Sequence, residues 1–307
     1  MAKRMVGVPP RAGCVIALVS AMSLASGASR AATDERLMKL SADDQAVARN
    51  LTEFTGRMED KYFKSVAKLN GGATFETLDK QTDDSDYLVR VTRGPVVEKA
   101  GTMISTGKKA QPGRATPPGA VLAWSRFYSI DIHPKTPLVG MLHATIVVQF
   151  YEGGQSFAGG WLGVMNGTRN AEDMTALKAV TDAHFAKYGK DPTLYRKLIM
   201  KGTEDTVHEF RRRPDDSGVS FYGPPVFPGD IAKSYQFIAE LFDQFTGAYL
   251  DIVGRRAKDA YTPADLLAQD QMRKRWLVDQ LFSDPFASKL VPFEVWSLSN
   301  TPPVIKF

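Results

Sequence analysis

The order of structural patterns along the chain constrains its fold more than any other sequence feature. Strand-like segments are grouped in the first half of the chain, and helical periodicities follow. The strand-like segments are 87–92, 96–98, 102–105, 127–132 and 144–151, with a later one at 218–222. The helical segments of the second half are 171–188, 193–210 and 231–256. This grouping favours an α+β domain over a doubly wound one, and no linker-like segment divides it in two.

Two helices have the clearest periodicity. The first precedes the strands: apolar residues from Val47 to Leu69 share one helical stripe, and the glycine pair 71–72 ends it. The second is 231–256, where apolar residues recur at steps of three and four. In the strand 144–151, the apolar residues at 146, 148 and 150 alternate with Thr145, Val147 and Gln149. One face of that strand is therefore expected to be buried away from water, and the other could line a cavity.

The N-terminal segment has the features of a signal peptide. Basic residues precede an apolar stretch from residue 14 to about residue 25, and Ser-Arg-Ala follows at 29–31. The apolar stretch is too short to span a bilayer. We therefore predict that residues 1–31 are removed, that the protein is periplasmic or secreted, and that residues 32–307 form the working domain.

Charge and cysteine usage exclude several classes of function. The chain has 39 Lys and Arg against 34 Asp and Glu, but four of the basic residues and no acidic one lie within 1–31, which leaves 35 against 34, or +1. This balance does not favour nucleic acid as a partner. The single cysteine, Cys14, lies in the same leader, so the mature domain is expected to lack disulfides, thiolate zinc sites and cysteine nucleophiles. No later apolar run is long enough to cross a membrane.

The general catalytic and nucleotide-binding motifs are missing from the sequence, and the histidines are the best remaining candidates. The pair Gly159 and Gly160 alone predicts only a tight turn. Of the four histidines, His133 and His143 flank a proline-punctuated turn and are expected near the start of the strand 144–151. A neutral imidazole binds divalent metals or exchanges protons near neutral pH. Taken singly, each histidine is better explained by a structural role: His133 as a cap of the turn, and His143 as a packed residue at the strand end.

Four separated motifs resemble one family in the same order. The segment 129–137 reads Ser-Ile-Asp-Ile-His-Pro-Lys-Thr-Pro, with a second histidine ten residues after the first. The others are Val-Glu-Lys-Ala-Gly at 97–101, Ala-Tyr-Leu-Asp-Ile-Val-Gly-Arg-Arg at 248–256 and Thr-Pro-Pro-Val at 301–304. Together they resemble the oxygen-dependent coproporphyrinogen III oxidases, which oxidatively decarboxylate two propionates of a tetrapyrrole to vinyl groups. The resemblance extends from about residue 90 to the C-terminus.

The resemblance implies a fold, a ligand and a set of site residues. The fold is a single α+β domain with a large antiparallel sheet flanked by helices on both faces, and the protein is a homodimer that involves the helical C-terminal half. The ligand is a porphyrinogen, molecular oxygen is the co-substrate, and no organic cofactor is needed. His143 is the proton donor and Asp284 contacts the ring nitrogens, while Ser129 and Thr145 position a propionate. A divalent metal is assigned to His133, His143 and His208, and His184 lies near a further histidine of the family.

The sequence departs from the family at several site positions. The family's Asp-Arg-Gly is Asp-Pro-Phe at 284–286, and the Asn-Val-Arg after the second histidine is Thr-Ile-Val at 145–147. The Gly-Gly-Gly-x-Asp turn is Gly-Gly-Trp-Leu at 159–162, and a later Gly-Gly-Arg is Val-Pro-Phe at 291–293. Each lost charge-assisted bond to a carboxylate removes about 1.5 to 3 kcal/mol. Arg90, Arg93, Lys135 and the run 211–213 are candidates to replace them, although three adjacent arginines are more often a solvated surface than part of a pocket. Two hypotheses therefore stay open: an oxidase of this type, and a non-catalytic periplasmic tetrapyrrole-binding protein with the same fold.

Overall fold

The strands form one antiparallel sheet in which the order across the sheet is the order along the chain. The computed structural model describes residues 35–110, 119–165, 167–168, 170–200, 212–282 and 290–306. The strands are β1 (Glu76–Gln81), β2 (Ser85–Thr92), β3 (Val97–Gly107), β4 (Leu122–Pro134), β5 (Leu142–Tyr151), β6 (Ser156–Val164) and β7 (Val219–Ser220). The predicted α+β class with one large antiparallel sheet in a single domain is confirmed.

Most of the helices follow the strands, as the sequence predicts. They are α1 (Ala42–Asn70), α2 (Ala171–Lys187), α3 (Thr193–Met200), α4 (Ile231–Arg256), α5 (Pro263–Phe282) and α6 (Phe293–Asn300). The α1 helix begins where the Ser41 side chain accepts a hydrogen bond from the Asp44 backbone N–H, and it ends at Gly71, whose φ of 75° is left-handed. The predicted helix 193–210 is described only as far as Met200.

The two faces of the sheet differ in composition, and strand β4 shows the difference most simply. Tyr128, Ile130 and Ile132 point to what we call the core face, where they belong to the main hydrophobic cluster. The alternate residues of β4 point to the opposite side, which we call the polar face because it carries Ser129, Asp131 and His133.

Helices α1 and α4 cover the core face. Both bury one apolar stripe, and Phe242 of α4 lies against the rings of Phe54, Tyr62 and Tyr128. These contacts join both helices to the sheet in a continuous aromatic and aliphatic core. The periodicities that predicted the two helices are therefore the stripes that bury this face.

Helices α5 and α6 cover the polar face. Val295 and Trp296 of α6 pack on Val89 and Met103 of the sheet. The approach is close at Gly101, where an added Cβ would lie 2.5 Å from the Ser299 carbonyl oxygen. Helices thus flank the sheet on both faces, as expected from the resemblance.

Several local predictions are wrong or incomplete. Gly159 and Gly160 do not form a tight turn: they lie inside strand β6. The separate segments predicted at 96–98 and 102–105 are one continuous strand, β3, and the strand predicted at 218–222 is only two residues long. The sequence patterns missed β1, β6, α5 and α6. Among the described residues, no helix is long and apolar enough to cross a membrane.

Candidate functional site

Four of the residues singled out from the sequence lie on the polar face of two neighbouring strands. In the antiparallel register of β4 and β5, Ser129 pairs with Thr145, and Asp131 pairs with His143. His133 lies two residues beyond Asp131 on the same face and pairs with Lys99 of β3. The sheet therefore brings His133, His143, Ser129 and Thr145 onto one face of these two strands.

Asp131 and His143 form a hydrogen-bonded pair. His143 Nδ1 donates to Asp131 Oδ1 across 2.5 Å, and the aspartate side chain is only 1% exposed. The bond uses one ring nitrogen and leaves Nε2 to exchange a proton. The sequence motifs did not single out Asp131. Its signal was the alternation of polar residues at 129, 131 and 133 within one strand.

Two tryptophan rings hold the His143 imidazole. The ring centroids of Trp161 and Trp276 lie 5.2 and 4.9 Å from that of His143. Trp276 is fixed in turn, because its Nε1 donates a 2.8 Å hydrogen bond to the Asn300 carbonyl. An imidazole held in this way has little freedom to rotate, which suits a positioned acid or base.

Arg212 lies over the same two tryptophans. Its guanidinium carbon is 5.5 Å from the Trp161 ring centroid and 5.4 Å from that of Trp276. Its Nε lies 3.0 Å from Oδ2 of the buried Asp279. The run 211–213 is therefore not wholly a solvated surface, since the Arg212 side chain is only 23% exposed and lies near His143.

The surroundings of His133 are different. His133 is fully buried, and within the described residues neither of its ring nitrogens has a hydrogen-bond partner. Burial lowers its pKa well below the ordinary value, and the charges of Lys99 and Arg273 lower it further. Burial also lowers the pKa of Lys99 to about 8, opposed by the nearby charge of Asp131. His133 is therefore a neutral imidazole beside two cationic side chains.

These surroundings do not fit a divalent metal at His133. Positive neighbours repel a cation, and the described part of the chain contains no group of three His, Cys, Asp or Glu side chains that could hold one. His208, the third predicted ligand, lies outside the described residues. The metal hypothesis now depends on that residue.

The turn after His133 is tied to helix α5. Gln269 Nε2 lies within 3.2 to 3.4 Å of the carbonyl oxygens of three consecutive residues, 134–136. Arg273 of the same helix forms a 2.5 Å hydrogen bond to Glu98. Helix α5 therefore fixes the end of the strand that carries His133 and Asp131.

Asp284 lies outside the described residues, between the end of α5 and Leu290. His184 belongs to α2, where its Nε2 lies 2.9 Å from the Phe237 carbonyl oxygen on the core-face side. It is not part of the group on the polar face, and its contacts are those of a core histidine.

Thr145 and Ser129 are both nearly buried, and only Thr145 reaches toward an exposed side chain. The Thr145 hydroxyl lies 3.1 Å from the Tyr222 hydroxyl. Two cavities formed by described residues lie elsewhere: one of about 210 Å³ between the start of α1 and the β5–β6 hairpin, and one of about 480 Å³ beside β1 and α6. Neither is lined by His143.

Comparison of the sequence with models of known protein families finds no match. Membership of the coproporphyrinogen oxidase family therefore stays a prediction from the motifs. The described residues themselves supply an acid–base pair, an aromatic enclosure and a neighbouring cation.

Proposed function

We propose that this protein is an enzyme of the oxygen-dependent coproporphyrinogen oxidase type, which acts on propionate groups of a reduced tetrapyrrole. The Asp131–His143 hydrogen bond carries the proposal. It supports an acid–base role for the histidine that the motifs single out as proton donor. Molecular oxygen is the co-substrate, and the reactive, electron-rich porphyrinogen needs no organic cofactor.

Asp131 is the positioning residue in this proposal. Because its carboxylate holds Nδ1–H, the proton that His143 exchanges with substrate is the one on Nε2. A buried carboxylate beside the ring also stabilises the imidazolium form during transfer. General acid–base catalysis of this kind contributes about 10²- to 10⁴-fold to a rate.

Arg212 supplies a positive charge near His143, in a chain that lacks several of the family's arginines. It is held over the rings that flank His143, and part of its side chain remains exposed. A guanidinium pairs with a carboxylate in a bidentate geometry that lysine cannot match. We therefore assign Arg212 to a propionate, together with Ser129 and Thr145, and Asp284 to the ring nitrogens.

The test is turnover of coproporphyrinogen III in air by the mature protein, followed as released carbon dioxide and as porphyrin fluorescence after oxidation. Asp131→Asn and His143→Gln are expected to lower turnover by about 10²-fold or more, and Asp284→Ala is expected to lower it as well. Asp251→Asn, an exposed carboxylate on α4, is the matched control and is expected to react like the wild type. Thermal unfolding of each variant separates loss of activity from loss of folding.

The same assay separates the two hypotheses left open by the sequence. Saturable tetrapyrrole binding without turnover would support the binding-protein alternative, which the replaced arginines favour. If neither porphyrinogen nor porphyrin binds, both hypotheses fail. Activity that survives a chelator would remove His133 and His208 from any metal role.

The proposal includes export and a homodimer. N-terminal sequencing of the protein recovered from the periplasm or medium is expected to begin near residue 32. Light scattering of that protein is expected to give twice the mass of the processed chain. A monomeric mass, or an intact leader, would contradict these expectations without affecting the catalytic assignment.

A further inference from the structure

Strand β6 alternates aromatic residues and glycines on the polar face. The sequence of that face is Phe157, Gly159, Trp161, Gly163. A Cβ at Gly159 would lie 2.5 Å from Cζ of Phe157, and a Cβ at Gly163 would lie 2.5 Å from Cη2 of Trp161. Each ring therefore lies along the strand over the glycine that follows it, in space that any other residue would fill. Gly159, one of the two glycines that looked like a turn, therefore makes room for an aromatic surface on the polar face.

Tyr222 extends this surface. Its ring is nearly parallel to that of Phe157, with an interplanar angle of 24° and 6.3 Å between centroids. A Cβ at Gly159 would also lie 3.3 Å from Cδ1 of Tyr222, so one glycine makes room for both rings. The tyrosine is 44% exposed, and its hydroxyl bonds Thr145, a predicted substrate contact. An exposed ring held by its hydroxyl presents a fixed aromatic face to solvent.

Along β6, the buried Trp161 lies between this aromatic surface and the end of the strand that pairs with His143. Trp161 contacts His143 on one side and lies under the Arg212 guanidinium on the other. In the β5–β6 register, Gly163 pairs with His143, whereas Phe157 pairs with Gln149 at the other end of the strand. Six residues of strand span about 20 Å at 3.3 Å each. The surface therefore extends outward from the imidazole, with a cation at its inner end.

We propose that Phe157 and Tyr222, with Arg212, bind the flat, conjugated ring of an oxidised porphyrin carboxylate in preference to the reduced porphyrinogen. Aromatic stacking requires a planar ring face. The four tetrahedral carbons that join the pyrroles of a porphyrinogen prevent it from lying flat, whereas a porphyrin is planar. Arg212 matches the negative charge at the edge of such a ring. The ligand class rests on the proposed function, but the preference for the flat form rests on the aromatic surface.

The test is titration of the full-length mature protein with coproporphyrin III, followed by the shift of its absorbance band and by quenching of tryptophan fluorescence. Tyr222→Leu is expected to raise the dissociation constant about tenfold. Tyr222→Phe keeps the ring and loses only the bond to Thr145, so it is expected to stay within about threefold of the wild type. Tyr261→Leu is the matched control, because Tyr261 is 51% exposed and lies at the start of α5, and it is expected to bind like the wild type. Thermal unfolding confirms that each variant is folded.

A second variant tests the glycine directly. Gly159→Val places side-chain atoms where the Phe157 ring lies, so it is expected to weaken porphyrin binding at least as much as Tyr222→Leu. Coproporphyrinogen III, titrated without air and followed by tryptophan quenching, is expected to bind more weakly than coproporphyrin III. Equal affinity of Tyr222→Leu and the wild type, equally tight binding of the two tetrapyrroles, or failure of the wild type to bind coproporphyrin III would overturn the inference. Tyr222-dependent porphyrin binding without turnover would leave the inference standing while the proposed oxidase fails. Turnover without porphyrin binding would overturn the inference and leave the proposed oxidase standing.

Discussion

The two faces of the sheet are built from the same strands and differ in almost every physical respect. On the core face, β4 contributes Tyr128, Ile130 and Ile132, and these residues pack against long amphipathic helices. On the polar face, the same strand contributes Ser129, Asp131 and His133, all buried. Burial of apolar groups stabilises a fold, whereas burial of groups that ionise or lack hydrogen-bond partners destabilises it. The core face is packed mainly by apolar groups, whereas the polar face combines smaller apolar clusters with ionisable groups that are buried at an energetic cost.

The largest expected effect is on the core face. Phe242→Ala removes a fully buried ring that lies within 5.6 to 6.2 Å, centroid to centroid, of three other aromatic rings. We expect a loss of about 3 to 5 kcal/mol in the free energy of unfolding, measured by denaturant titration. Phe293→Ala, at a ring that is 69% exposed, is the control and is expected to change it by less than about 0.5 kcal/mol. Similar losses in both variants would mean that the core face is not the main source of stability.

The second largest expected effect is on the polar face and concerns the pH dependence of stability at Lys99. Folded Lys99 has a pKa of about 8, whereas the ordinary lysine value is 10.5. Between these values the unfolded chain holds a proton that the folded chain has lost, so stability rises with pH across this window. The shift corresponds to roughly 3 kcal/mol at 1.36 kcal/mol per unit.

Lys99→Met is expected to abolish this rise. The measurement is the free energy of unfolding at several pH values from 7 to 11, compared between the variant and the wild type. Lys64→Met, at an exposed lysine of α1, is the control and is expected to keep the wild-type pH dependence. An unchanged slope in Lys99→Met would indicate that Lys99 is solvated in the folded protein.

The smallest effect concerns a polar atom on the core face. The Tyr249 hydroxyl of α4 donates to the Gly140 carbonyl across 2.7 Å and also lies 3.3 Å from the Ile132 carbonyl. Tyr249→Phe is expected to lower the free energy of unfolding by about 0.5 to 1.5 kcal/mol and to leave turnover unchanged. The hydroxyl ties α4 to the turn between β4 and β5. A fall in turnover without a fall in stability would therefore show that this turn controls the site from the core side.

The core face could be predicted from the sequence, and the polar face only in part. Apolar periodicity predicted the α4 helix over 231–256, the same bounds that the structure gives, because a stripe that buries one face has a regular spacing. It did not predict α5, whose buried residues include Gln269, Arg273 and Asp279. A helix that buries polar side chains against a polar face leaves no apolar stripe to detect.

The candidate site also has features that the sequence predicted and features that it did not. The spacing of Ser129, His133 and His143 was visible in the sequence, and strand pairing brings them together. Trp161 and Arg212 were not predicted to contact His143, because those contacts depend on how residues distant in sequence pack on the sheet. Gly159 was misread as part of a turn for a related reason: its role is to accommodate rings from Phe157 and Tyr222, and a glycine alone does not indicate which neighbour it serves.

The nearest-neighbour order of the strands has a consequence for how the molecule assembles. Each strand from β2 to β6 pairs with the one that precedes it, so the sheet grows from contacts between adjacent parts of the chain, which form quickly. The helices that close over Lys99, Asp131 and His133 come only after residue 263. Those three side chains are therefore expected to stay hydrated until the final docking event, and their dehydration is postponed to the last step of folding.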